Sequence, residues 1–132
     1  MGHPLHGAGM SEVTRIPTHI EGLDENMQGG IPKGHICIVA GSSGAMKSSL
    51  TFSMLYNAVL YGETSGIYVT LEQGKDSLRS HMSNMGMNID DKRVSNRIAI
   101  IDLWDLRVQL DEQGMSSRVD WMGQLIKQLT SY

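Results

Sequence analysis

The sequence predicts an α/β fold built on a mainly parallel sheet flanked by helices, and three observations carry that reading. Short apolar runs of strand length recur at His35–Ala40, Gly66–Leu71 and Arg97–Asp102. Between them lie stretches whose apolar residues repeat at helical spacing. Glycines stand at the junctions, where the chain must turn. A strand followed by a helix and a short return to a second strand implies a right-handed parallel crossover.

Taken in order, residues Met1–Gly9 (MGHPLHGAG) show no periodicity and read as a flexible leader or cloning residues. His3 and His6 within them are incidental rather than a metal pair. Met10–Pro32 is broken by Pro17 and by Gly29-Gly30-Ile31-Pro32, with a short helical turn expected around Leu23–Met27. The first strand is expected at His35–Ala40, with Cys37 as a small core residue. A helix follows over Ser48–Tyr61, its apolar face traced by Leu50, Met54, Leu55, Ala58 and Val59, and Gly62 is its stop. The second strand is Gly66–Leu71. The next helix runs over Lys75–Met85, with Leu78, Met82 and Met85 facing the core, His81 solvated, and Gly86 ending it. Asn88–Asn96 reads as a charged connector, Arg97–Asp102 as the third strand, and Trp104–Met115 as irregular and polar. A last helix is expected from Ser117. Ser117 and Asp120 there resemble a capping box, and Val119, Met122, Leu125, Ile126 and Leu129 share one face.

The junction between first strand and first long helix carries the chemistry. It reads Gly41-Ser42-Ser43-Gly44-Ala45-Met46-Lys47-Ser48. Strand, glycine-bearing loop, Lys-Ser and helix is the layout of a phosphate-binding P-loop. The first amides of a helix have no intrahelical acceptor and can turn toward phosphate oxygens. Lys47 would supply a cation to the β- and γ-phosphates, and the Ser48 hydroxyl would ligate Mg²⁺. The octet departs from the usual pattern at Met46, where a second glycine is expected. Glycine there takes unusual dihedrals without a Cβ penalty, so a Met side chain must point away or the loop must bend differently. The bland alternative is an ordinary strand–turn–helix junction with a chance Lys-Ser; the flanking strand and helix weigh against it.

Composition bounds the rest. The chain has 132 residues, 40% hydrophobic and 19% charged, which suits one globular domain. The formal net charge of −3 offers no electrostatic footprint for nucleic acid and argues against autonomous DNA binding. A single cysteine excludes an intrachain disulfide, and no apolar run is long enough to span a membrane. No secretory signal is visible, so the cytoplasm is the expected location.

Several segments together resemble one family. Gly22-Leu23-Asp24-Glu25, then Gly29-Gly30-Ile31-Pro32-Lys33-Gly34, then the octet, then Tyr68-Val69-Thr70-Leu71-Glu72, resemble KaiC-like ATPases of the RecA superfamily. The bacterial RadA repair ATPases share a less close opening. The resemblance covers about Arg15 to Tyr132. It implies a RecA-like P-loop NTPase core, C-terminally incomplete, in which residues 10–132 form the N-terminal portion of a single ATPase domain. It implies ATP and Mg²⁺ as cofactors. The nucleotide would be bound by Gly41, Ser42, Ser43, Gly44, Ala45, Met46, Lys47, Ser48 and Ser49, with Ser48 on the metal. Lys47 and Glu72 would be the catalytic residues. Glu72 matches the first of two adjacent acidic residues that the family associates with activating the attacking water; the second position here is Gln73. An amide can orient a water but cannot take its proton. The family's Walker B aspartate is expected on a later strand, after the helix at Ser117. Asp102 mimics it locally and stays open as an alternative Mg²⁺ carboxylate. The resemblance also implies self-association of the full-length protein as a homo-oligomer, a hexamer among the options.

The expected function is therefore ATP binding with Mg-dependent hydrolysis. Two alternatives stay open: a nucleotide-binding regulatory or assembly module without efficient hydrolysis, and a RadA-like DNA-repair ATPase. The charge and the lack of a zinc-binding cysteine cluster lower the latter.

Overall fold

The computed structural model describes residues 13–44, 46–112, 114, 123, 125–127 and 129–131. The leader, Ala45 and most of the segment from Ser117, with Val119, Asp120 and Met122, lie outside the described residues. The chain divides into two compact units, Met1–Met54 and Leu55–Tyr132, and each is taken by itself.

The first unit is organised by two short antiparallel strands, β1 (Arg15–Ile16) and β2 (Ile31–Pro32), with Ile16 opposite Ile31. Between them sits a single helical turn, α1 (Leu23–Asn26), where a turn was expected. Two motif pieces have structural jobs here. Asp24 closes the turn before α1. Its Oδ1 accepts the Thr18 N–H at 2.8 Å and the Thr18 hydroxyl at 2.7 Å, and its Oδ2 accepts the His19 N–H at 3.0 Å. Gly30 has φ 130°, and a Cβ there would overlap the Ile16 carbonyl, so only glycine lets β1 and β2 close. Arg15 ties the same corner by donating to the Met27 and Gly30 carbonyls, both at 3.1 Å.

His35–Ala40 does not form the expected strand. It is extended chain without a ladder, and Ile36 and Ile38 are 94% and 84% exposed. The sequence has the right residues, but a strand exists only where a neighbouring strand takes its hydrogen bonds. Among the described residues no strand pairs with it. For the same reason Cys37, expected in the core, is exposed.

The boundary between units falls within helix α2 (Lys47–Tyr61). Its buried stripe is Phe52, Tyr56 and Val59, one face of a helix, while Leu50, Met54, Leu55 and Ala58 are half-buried beside it. Full burial of a Phe or Val side chain contributes about 1.5–3 kcal/mol. Gly62 stops the helix, donating to the Ala58 carbonyl at 3.1 Å.

In the second unit β3 (Gly66–Thr70) and β4 (Ile98–Asp102) pair in parallel, Gly66 opposite Ile98 and Thr70 opposite Asp102. The connection contains α3 (Lys75–Asn84), making a βαβ unit. Leu78 and Met82 of α3 are buried as expected, whereas Met85 is exposed. Gly86, at φ 87°, takes the left-handed conformation that ends the helix. The connector before β4 buries Val94 completely. After β4 the chain runs at once into α4 (Leu103–Glu112), where irregular structure was expected. Leu103 and Leu106 of α4 bury against Ile101, with Ile67, Leu125 and Leu129 packed beside them. That packing stabilises a helix whose exposed Trp104 and Val108 blur its apolar period. Among the described residues no helix is long and apolar enough to cross a membrane.

Candidate functional site

The loop before α2 is exposed through Gly41, Ser42, Ser43 and Gly44. Its backbone turns through left-handed geometry twice, at Gly44 (φ 81°) and at Met46 (φ 60°). Met46 occupies the position where a P-loop has glycine, and it adopts the dihedral that glycine takes freely and a side-chain-bearing residue does not. Met46 is 63% exposed.

Met46 also starts α2, because its carbonyl accepts the Leu50 N–H at 3.0 Å. Lys47, Ser48 and Ser49 are then the first three helical residues, whose amides have no intrahelical acceptor. Among the described residues no side chain caps them. The Lys47 side chain folds back over the loop, its Nζ donating to the Gly41 carbonyl at 2.9 Å and the Ser42 carbonyl at 2.8 Å. Ser48 is exposed and Ser49 buried. Thr51 steadies the first turn, its hydroxyl donating to the Lys47 and Ser48 carbonyls at 3.0 and 3.1 Å. A cation, a row of orphan donors at the positive end of a helix and a free-standing hydroxyl are the parts that hold a phosphate chain.

The second unit holds the other expected residues, at the carboxyl ends of β3 and β4. Thr70, the last residue of β3, is buried. Its hydroxyl donates to the Gln73 carbonyl at 2.7 Å and accepts the Gln73 N–H at 3.3 Å. Gln73 Nε2 donates to the Ser77 hydroxyl at 2.9 Å. Glu72 stands exposed between these anchors and has no hydrogen-bond or ion-pair partner among the described residues. Asp102, the last residue of β4, is buried and fully engaged. Its Oδ2 accepts the Lys75 N–H at 3.0 Å, and its Oδ1 accepts the N–H groups of Trp104 at 2.9 Å and Asp105 at 3.4 Å. One carboxylate thus caps both α3 and α4. A shallow cavity of about 110 Å³ lies beside it, lined by Lys75, Asp102, Asp105 and Gln109 among others.

Of the sequence-predicted residues, positions 41–49 fall in one continuous stretch of the first unit, with Ala45 outside the described residues. Glu72 belongs to the second unit, with Gln73 and Asp102. The clamping roles of Thr70 and Asp102 were not foreseen. The available signal was Asp102-x-x-Asp105 at the start of α4, an N-cap followed three residues later by an acid.

A family model described as ATPase: KaiC matches residues 16–132. The chain belongs to the KaiC ATPase family. Its fold is accordingly RecA-like α/β. Among curated relatives, it is 27% identical to the circadian clock oscillator protein KaiC of Parasynechococcus marenigrum, a match covering 89% of this chain and 24% of that protein. It is 33% identical to a UPF0273 protein of Thermotoga maritima, covering 68% of this chain and 37% of the relative. A UPF0273 protein of Saccharolobus solfataricus is 38% identical over 67% of this chain and 31% of its own length. The chain spans about a sixth to just over a third of the length of the curated relatives it matches.

Proposed function

We propose that this chain is part of a KaiC-family ATPase that binds ATP through Gly41–Ser49 and hydrolyses it with Mg²⁺. The observation that carries the reading is the Lys47 ammonium, held by the Gly41 and Ser42 carbonyls against its own loop at the start of α2. Lys47 and the first amides of α2 neutralise and orient the phosphates. The loop's donor set fits a nucleotide-bound Mg²⁺ better than a protein-held ion. The Ser48 hydroxyl is exposed, and among the described residues no group of three His, Cys, Asp or Glu could hold a metal. Mg²⁺ is commonly held by few protein oxygens plus substrate phosphates. When bound, it would polarise the γ-phosphate and offset its charge. Glu72 is the candidate base for the attacking water. The reading takes residues 10–132 as the N-terminal portion of one ATPase domain in a cytoplasmic protein that self-associates as a homo-oligomer.

A second reading, a nucleotide-binding module without efficient hydrolysis, is favoured by Gln73 and Asp102. The first cannot take a proton, and the second is occupied by three N–H groups. The test is calorimetric titration of MgATP into the full-length protein and its Lys47→Ala variant. Loss of one ammonium–phosphate interaction should weaken binding by roughly 10- to 100-fold. Equal affinities would remove the loop from nucleotide binding. Phosphate release then separates the hydrolytic reading from the module.

A further inference from the structure

The short loop that carries Glu72 is held at both ends by side chains that the proposed chemistry does not otherwise use. On the β3 side, the buried Thr70 hydroxyl closes a ring with the Gln73 backbone, donating at 2.7 Å and accepting at 3.3 Å. On the α3 side, Asp102 Oδ2 accepts the Lys75 N–H at 3.0 Å. Gly74 between them has no side chain to cap α3, and a Cβ there would stand 3.6 Å from Asp102 Oδ2. Asp102 is itself fixed, because its other oxygen accepts the Trp104 and Asp105 N–H groups at the start of α4. Gln73 is drawn aside by its bond to Ser77. The backbone on both sides of Glu72 is thus pinned to the ends of two parallel strands, while its carboxylate has no partner among the described residues.

We propose that Thr70 and Asp102 are positioning residues for Glu72, holding its loop so that the carboxylate meets the attacking water in one orientation. This rests on the reading of Glu72 as the base. Among the described residues, the hydrogen bonds of Thr70 and Asp102 all go to backbone groups. Each acts through the backbone it anchors. Polar anchoring of this kind matters for rate, because a displacement of about 1 Å at a reacting group can cost on the order of a hundredfold.

The experiment is a kinetic cycle in the full-length protein, measuring phosphate release and nucleotide affinity for Thr70→Val, Thr70→Ser, Asp102→Asn, Glu72→Gln and Thr70→Val/Glu72→Gln. Thr70→Val should lower kcat by about 10- to 100-fold with affinity within about twofold of the parent. Thr70→Ser, which keeps the hydroxyl, should restore most of the rate. In the double variant the Thr70 change should add no further loss, because its effect runs through Glu72. If Glu72→Gln is impaired but Thr70→Val turns over normally, the positioning role is overturned and the base assignment survives. Additive losses in the double variant likewise assign Thr70 to general stability and overturn the proposal. Unchanged turnover in Glu72→Gln removes the base itself and the proposal with it. Should Asp102→Asn fail to fold, the Thr70 arm still decides the outcome.

Discussion

Two loops of this chain enter helices, and they treat the helix's unsatisfied amides in opposite ways. The loop before α3 has the first of them satisfied from within the protein: Asp102 reaches across from β4 and accepts the Lys75 N–H, while Thr70 closes the turn beneath. The loop before α2 supplies no side-chain cap among the described residues. It places a cation, Lys47, near its own carbonyls and takes left-handed geometry at Gly44 and Met46. A helix N-terminus carries a partial positive charge that favours an anion. The α3 junction meets that demand with a carboxylate of its own. The α2 junction has no such carboxylate among the described residues. On the function proposed above, the difference separates a loop that holds a side chain still from one that receives phosphate.

The strongest way to break the comparison is to remove the internal anion. Asp102→Ala should destabilise the protein by about 2–4 kcal/mol, because two helix N-termini lose their cap together. Urea denaturation checks this, and a change under about 0.5 kcal/mol would mean that solvent caps α3 and α4 equally well. A smaller effect is expected at the open loop. Met46→Gly removes left-handed strain of about 1 kcal/mol but adds a backbone entropy cost of about 0.5–1 kcal/mol. Stability should move by less than about 1 kcal/mol while nucleotide affinity shifts several-fold; titration and thermal unfolding of the same samples separate the two.

The smallest effect sharpens the idea of a carboxylate closing its own turn. Hydrogen bonds from Thr18, first from its hydroxyl and then from its amide, hold Asp24 below the ordinary carboxylate value of 3.8. A carboxylate depressed in the folded state contributes stability above its unfolded value, and that contribution is lost as pH falls through the folded one. Denaturation midpoints should therefore fall less steeply between about pH 5 and about pH 3 in Asp24→Asn than in the parent. Some slope should remain from Asp91, lowered to about 2 chiefly by its hydrogen bond from the Arg93 side chain. Identical slopes would leave Asp24 without a role in the pH response.

Much of this was legible in the sequence, and the misses share a cause. The helices over Lys47–Tyr61 and Lys75–Asn84 and the pair Gly66–Thr70 and Ile98–Asp102 announce themselves through local period and glycine stops. The failures depend on partners. His35–Ala40 has strand residues without a ladder, and Leu103–Glu112 is a helix whose burial is supplied by Ile101 and its neighbours rather than by its own pattern. The same holds at the candidate site. The octet is contiguous and readable, whereas the bond from Lys75 to Asp102 joins residues far apart in sequence, which no local window contains.

The hold that the Gly41 and Ser42 carbonyls keep on Lys47 bears on how tightly the loop can bind anything. On the proposed reading, a phosphate that needs the whole ammonium would have to compete with the two carbonyl oxygens that already take two of its three N–H groups. Apparent affinity would then scale with the fraction of loops in which the lysine has let go. If that fraction were about 1%, binding would be about a hundredfold weaker than the released loop allows. Any contact that draws the lysine off its carbonyls would raise nucleotide affinity without adding a single new bond to the nucleotide.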